Sequence, residues 1–91
     1  MSNKVRDNTE RRRFELDVEG GLAFALYRRE GDTLHITHTE TPVSLRGQGV
    51  ASTLVRGLLD IARAQGLMVA PKCPFVAGYI DKHPEYADLR K

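Results

Sequence analysis

A glycine-bearing turn, Arg46-Gly47-Gln48-Gly49, is the segment of the sequence best suited to hold an anion. It lies between residues that alternate like a strand and residues spaced like an amphipathic helix. Glycine has no Cβ, so its backbone N–H group can approach a ligand closely. The N-terminus of the following helix adds partial positive charge at the same place. The turn therefore predicts a phosphate or pyrophosphate site, although glycines alone are also typical of a plain connection.

Two familiar nucleotide motifs do not fit this turn. A P-loop ends in Gly-Lys followed by Ser or Thr, whereas Gly49 is followed by Val50 and Ala51. A dinucleotide-binding turn needs a third glycine, where this chain has Ser52, and a second crossover unit, which the sequence lacks. The turn therefore indicates a different ligand that carries a pyrophosphate.

Cys73 is the only cysteine, and its position could make the thiol reactive. It precedes Pro74, which can open a helix, so Cys73 is expected just outside the helix N-terminus. A thiol at that position, next to Lys72, should have a lowered pKa and a larger thiolate fraction. The alternative is a small buried apolar residue, which is the usual role of a lone cysteine.

His38 is the second residue that could do chemistry. It lies near the C-terminal end of a predicted strand, on the face expected to carry Leu34 and Ile36. If that strand is parallel to the one ending at Cys73, both residues reach the same rim of the sheet. His38 would then be the base or partner of the thiol, or else an ordinary sheet residue. The histidines and Cys73 show no metal-ligand spacing, so no metal is expected.

The predicted elements give an α/β fold that could position these groups. Alternating apolar residues predict an antiparallel three-stranded meander, over residues 13–19, 22–28 and 33–40. Helical spacing then predicts a helix from Val50 that Gly66 ends, a buried strand over 67–71, and a final helix from Pro74. A strand, helix and strand in this order form a crossover, which places the fourth strand parallel to the third.

Length and composition limit the remaining possibilities. Ninety-one residues suffice for one domain, placed at 11–91, while the polar residues 1–10 are expected to form a flexible tail. A net charge of +2 does not suggest nucleic-acid binding. No apolar run is long enough for a membrane span, and the polar N-terminus does not resemble a signal peptide. A single cysteine fits a reducing compartment, so we expect a cytoplasmic protein. We also expect a monomer or weak dimer.

Four segments in order resemble the GNAT superfamily of acyl-coenzyme A-dependent N-acetyltransferases, and most closely its small single-domain members. They are Thr39 to Pro42, the Arg-Gly-x-Gly turn, Cys73 to Phe75, and His83 to Tyr86. The turn satisfies the glycine-rich core of the family's motif A, and the resemblance covers residues 13–89. It implies a minimal GNAT-type fold that binds acetyl-coenzyme A, with the pantetheine arm beside the end of the third strand. The implied ligand contacts are Glu40, Thr41, Val43, Arg46, Gly47, Gln48, Gly49, Val50, Ala51 and Cys73.

The resemblance also implies an activity, N-acetyl transfer to an amine of unknown identity, such as an amine on a protein or peptide. Small family members are thought to use a cysteine and a histidine at the positions of Cys73 and His38, which are the predicted catalytic residues. Cys73 would be either acyl acceptor or proton donor. Larger members have two helices where this chain has only Gly20-Gly21, so the acceptor side should be open. The same departure leaves an alternative, a non-catalytic module that binds coenzyme A or docks on another protein.

Overall fold

The computed structural model describes residues 5–91, which form one five-stranded sheet with two α-helices. Strands β1 to β5 are Val5–Asn8, Arg13–Val18, Gly21–Glu30, Thr33–Glu40 and Met68–Pro71. Helices α1 and α2 are Val50–Ala64 and Pro74–Lys82, and short 3-10 helices cover Val43–Leu45 and Pro84–Leu89. Neighbouring strands from β1 to β4 are antiparallel, and β5 is parallel to β4. The predicted crossover is therefore confirmed.

Strand β1 corrects the prediction that residues 1–10 form a flexible tail. Val5–Asn8 pairs with β2, so the antiparallel part has four strands rather than three. The prediction for residues 1–4 lies outside the described residues. Polar side chains dominate β1, and contacts distant in sequence hold it: the Tyr27 hydroxyl donates to Asp7 at 2.6 Å. The composition of residues 1–10 does not indicate such a contact, which is why the sequence predicts a flexible tail there.

The helices pack on one face of the sheet. Residues on that face are almost fully buried: Phe14, Leu16, Ala23, Ala25 and Ile36. Helix α1 contributes a matching stripe to the same apolar cluster: Leu54, Val55, Leu58, Leu59 and Ala62. Helix α2 packs beside α1 and against β5. Burial of this apolar surface is the main term that stabilises the fold. No helix among the described residues is long and apolar enough to cross a membrane.

The other face of the sheet is only partly covered. Its central apolar side chains are half-buried: Leu22, Phe24 and Leu26. Beside them, Arg13 and Arg6 bind the carboxylate of Glu15 at 2.6 and 2.8 Å. The hydrogen bond from Arg13 is the main cause that holds the pKa of Glu15 below its ordinary value. This face therefore combines an apolar centre with a network of charges, and we call it the open face.

A β-bulge in β4 decides which side chains face the helices near the end of the strand. Thr37 has no partner on β3, and the register between the two strands shifts there. The extra residue reverses the alternation, so Ile36 and Thr39 lie on the helix-covered face and His38 on the open face. The prediction that His38 shares a face with Leu34 and Ile36 is wrong, because a period-2 pattern does not reveal an inserted residue.

Candidate functional site

The turn before α1 has the geometry of an anion cradle. Gly47 and Gly49 have φ angles of +85° and +80°, in the left-handed region that favours glycine. A Cβ added at either position would meet no atom within 4 Å, so the space in front of both is free. Gly49 is the N-cap of α1, whose first turn has no side-chain cap and no acidic residue. The N–H groups of that turn therefore remain for an anionic ligand.

Two adjoining cavities open at this turn. One, of about 300 Å³, includes six predicted contacts: Thr41, Arg46, Gly47, Gly49, Val50 and Ala51. The other, of about 220 Å³, lies toward the end of β4 and adds Thr39 and Glu40. Phe75 lines both cavities and is 41% exposed. The shared walls suit an extended ligand that runs from the turn to the end of β4.

Val43, Gln48 and Cys73 were also expected to contact the ligand, and none of the three lines these cavities. Val43 is 75% exposed in the first 3-10 helix. The backbone N–H of Gln48 donates to the Leu45 carbonyl at 3.3 Å, and its side chain donates to Ser44 at 3.5 Å. Ligand contacts from Val43, Gln48 and Cys73 stay a prediction.

Cys73 is buried at the N-terminus of α2, where it is the N-cap. Its backbone N–H donates to the Ile36 carbonyl at 3.0 Å, which draws the start of α2 against β4. The Cys73 sulfur lies 3.6 Å from the Thr39 hydroxyl. Burial acts to raise the pKa of the thiol, but hydrogen bonds from Thr39 and from N–H groups of α2 outweigh it. The pKa of Cys73 is therefore lowered, as predicted. The side chain that lowers it is Thr39, through its hydrogen bond, and not Lys72.

His38 does not pair with Cys73. Its ring atom Nε2 lies 3.0 Å from Glu40 Oε1 on the open face, and about half of the His38 side chain is exposed. The bulge at Thr37 is the cause, because it turns Thr39 toward the sulfur and His38 away from it. The structure thus has a Cys73–Thr39 contact on one face and a His38–Glu40 pair on the other.

A gap separates the end of β4 from the start of α2. Strands β4 and β5 pair only as far as Ile36 and Pro71. Beyond that point β4 continues to Glu40, whereas the segment after β5 leaves the sheet and enters α2. Cys73 therefore borders the gap on the helix side, and His38 borders it on the open face.

Sequence reasoning missed two residues of this site. Phe75 lies outside the buried stripe of α2 formed by Val76, Tyr79 and Ile80, so helical spacing could have marked it as exposed. Thr39 meets Cys73 only because of the bulge, and no local pattern announces that insertion.

The chain has clear relatives among known proteins. Residues 13–89 match the family described as GCN5-related N-acetyl-transferase. Protein NATD1 of Xenopus tropicalis is 29% identical over 86 residues, covering 91% of this chain and 79% of the relative. Protein NATD1 of Homo sapiens is 29% identical over 84 residues, covering 89% and 74%. The solution structure of a GCN5-like candidate N-acetyltransferase from Staphylococcus aureus has a TM-score of 0.73 and 27% identity, covering 100% of this chain and 91% of that one.

Proposed function

Because the chain belongs to the GCN5-related N-acetyltransferase family, we propose that it transfers the acetyl group of acetyl-coenzyme A to an amine. The observation that carries the proposal is the free space in front of Gly47 and Gly49, at the uncapped N-terminus of α1. A diphosphate suits this space, because first-turn N–H groups and the helix dipole both favour anionic oxygens. Arg46, exposed beside them, would add a positive charge.

The remainder of the donor would run from the turn to the gap. The two cavities share Thr41, Arg46 and Phe75, so a pantetheine arm leaving the turn can lie beside the end of β4. Its thioester would then reach the gap where Cys73 is held. This path uses Glu40 and Thr41 as walls, in agreement with the contacts that the family resemblance implies.

Cys73 would act as the acyl acceptor. Its thiolate attacks the carbonyl carbon of the thioester and forms a new carbon–sulfur bond, while the bond to coenzyme A breaks and coenzyme A leaves as a thiolate. The lowered pKa of Cys73 supports this role, since the thiolate and not the thiol is the nucleophile. The Thr39 hydroxyl, 3.6 Å away, would stabilise the thiolate before attack.

His38 would act on the acceptor amine. The amine nitrogen attacks the acetyl carbon on Cys73 and forms a carbon–nitrogen bond. The carbon–sulfur bond breaks, Cys73 leaves as a thiolate, and the amine proton passes to His38. Glu40, 3.0 Å from the ring, would orient His38. The open face beside His38 also leaves access for a bulky acceptor such as a peptide.

The test is turnover by the purified protein. Release of the coenzyme A thiol from acetyl-coenzyme A would be measured with and without a panel of peptide and small-molecule amines. Amine-dependent release that is lost in Cys73→Ala supports the proposal. Binding without release across the panel would make the chain a coenzyme A-binding module instead. Absence of binding would reject both functions.

A further inference from the structure

A separate cavity lies at the end of the sheet away from the turn before α1. Its volume is about 530 Å³, and it opens where β3 ends and β4 begins, beside Leu34 and Leu67. Leu34 and Glu40 are six residues apart on β4, so this cavity is about 20 Å from the gap at the other end of the strand. It therefore cannot be part of a site at the N-terminus of α1.

Three arginines line this cavity, and we call it the arginine cavity. Arg28 is in an ion pair with Glu30, and Arg29 Nε donates to the Gly31 carbonyl at 2.9 Å. Within residues 5–91, no acidic side chain pairs with Arg12 or Arg29.

One acidic side chain, that of Asp7, also lines the cavity. Asp7 accepts a hydrogen bond from the Tyr27 hydroxyl at 2.6 Å. Burial, ahead of this hydrogen bond, raises the pKa of Tyr27 to about 12, so Tyr27 stays a neutral donor to Asp7. The carboxylate is thus directed at Tyr27, and the guanidinium groups of Arg12 and Arg29 are left for another anion.

Arg12 occupies a backbone position that does not favour arginine. Its φ angle is +55°, and among the described residues it is the only one other than glycine with a positive φ. The Tyr27 N–H donates to the Arg12 carbonyl at 2.9 Å, which fixes this conformation next to the cavity. Glycine or asparagine would fit the backbone better. Strain of this kind concentrates at binding sites, where the side chain has a use that offsets the backbone cost.

We propose that the arginine cavity binds a small organic anion that carries a phosphate or carboxylate group. The guanidinium groups of Arg12 and Arg29 would hold the anionic oxygens, because the planar fork of arginine matches two oxygens of such a group. The apolar part of the ligand would lie against Tyr27, Leu34 and Leu67. The cavity volume is within the range of small-molecule sites.

The binding test uses phenyl phosphate as the probe and inorganic phosphate as its comparison, followed by backbone amide NMR signals. We expect phenyl phosphate to shift the amides of residues 9–12 and 27–29 and to bind more tightly than inorganic phosphate, since only it has an apolar group. Silent amides in these segments would overturn the proposal. Shifts of the amide signals of residues 46–51 are evaluated separately, because they report on the turn that the proposed acetyl donor would bind.

A matched pair of variants tests the residue assignment. Arg12→Gly removes the guanidinium and relieves the positive φ, so we expect a higher midpoint of thermal unfolding and an affinity about tenfold weaker. Arg11→Gly changes a neighbour in the same turn that does not line the cavity, and its affinity should equal that of the parent chain. Unchanged affinity in Arg12→Gly, or an equal loss in both variants, would overturn the assignment.

Discussion

The Thr39 hydroxyl lies 3.6 Å from the Cys73 sulfur, at the gap between β4 and α2. The contact exists because the unpaired Thr37 shifts the alternation of β4 by one residue before Thr39. The same shift sends His38 to the open face, where it pairs with Glu40. One inserted residue thus places Thr39 against the thiol and His38 on the opposite face of the sheet.

The pH dependence of alkylation should report the ionisation of Cys73. The alkylation rate should rise with pH as the thiol ionises. Because the pKa of Cys73 is lowered, the midpoint of this rise should lie below the pKa of a free cysteine, which is about 8.5. Thr39→Val removes a hydrogen bond to the sulfur, so it should move the midpoint to higher pH. The midpoint is the quantity to measure with iodoacetamide, since burial slows the reaction at every pH.

Bound coenzyme A should slow the same alkylation, because the pantetheine arm would fill the gap in front of the sulfur. Thr53→Val is the control for Thr39→Val, since the Thr53 hydroxyl donates to the Gly49 carbonyl and not to the sulfur. A midpoint equal to that of free cysteine in the parent chain would make Cys73 a packing residue.

The turn glycines can be tested against a glycine of similar conformation. Gly47→Ala and Gly31→Ala both place a Cβ on a backbone with positive φ and open space, so each should lose about 1 kcal/mol of unfolding free energy. Only Gly47→Ala should weaken coenzyme A binding, by about tenfold or 1.4 kcal/mol, because its Cβ enters the diphosphate space. Calorimetric titration of both variants checks this, and equal affinities would exclude the turn as the cradle.

Much of the architecture could be predicted because it depends on local patterns. The apolar spacing of α1 and the short buried strand β5 were read directly, and Gly66 has the left-handed φ of +70° expected after a helix. Strand β1 could not be predicted in this way. Its side chains are mostly polar, and what holds it is a set of partners on β2, β3 and α1 that only the folded chain brings together.

The candidate site divides in the same manner. The glycine turn and the position of Cys73 before Pro74 are features of adjacent residues, so the sequence indicated both. The partner of Cys73 depends on register, and a single bulge replaced the expected His38 by Thr39. The register near the end of β4 is set by its pairing with β3, and no period-2 pattern in the sequence encodes that pairing.

The packing of β1 on α1 gives a prediction with opposite signs for two helical glycines. Alanine normally stabilises a helix interior by about 1 kcal/mol over glycine, and Gly78→Ala, with open space around it, should show that gain. Gly57→Ala should instead destabilise by about 1 kcal/mol or more, because its Cβ would overlap the side chain of Val5.

Urea unfolding of both variants measures the two free energies. Amide exchange over Val5–Asn8 should accelerate in Gly57→Ala alone. Stabilisation by both substitutions would contradict the position of β1.

The last prediction uses the separation of His38 from Cys73. If the thiol accepts the acetyl group and the imidazole acts only on the amine, His38→Gln should leave the first step intact. Incubation with acetyl-coenzyme A alone should add one acetyl group to Cys73 in the parent chain and in His38→Gln at similar rates. Mass spectrometry of the intact protein measures this adduct, and Cys73→Ala should not form it.

Addition of the amine should then distinguish the two chains. Transfer from acetylated Cys73 should be slower in His38→Gln by about a hundredfold, the usual size of a general-base contribution. Glu40→Gln should have a smaller effect in the same direction, because it removes the charge beside the ring but keeps the base. His35→Gln is the control, since His35 lies on the same strand but pairs with Glu30. Slower acetylation of Cys73 in His38→Gln would place the imidazole in the first step and contradict its assignment to the amine.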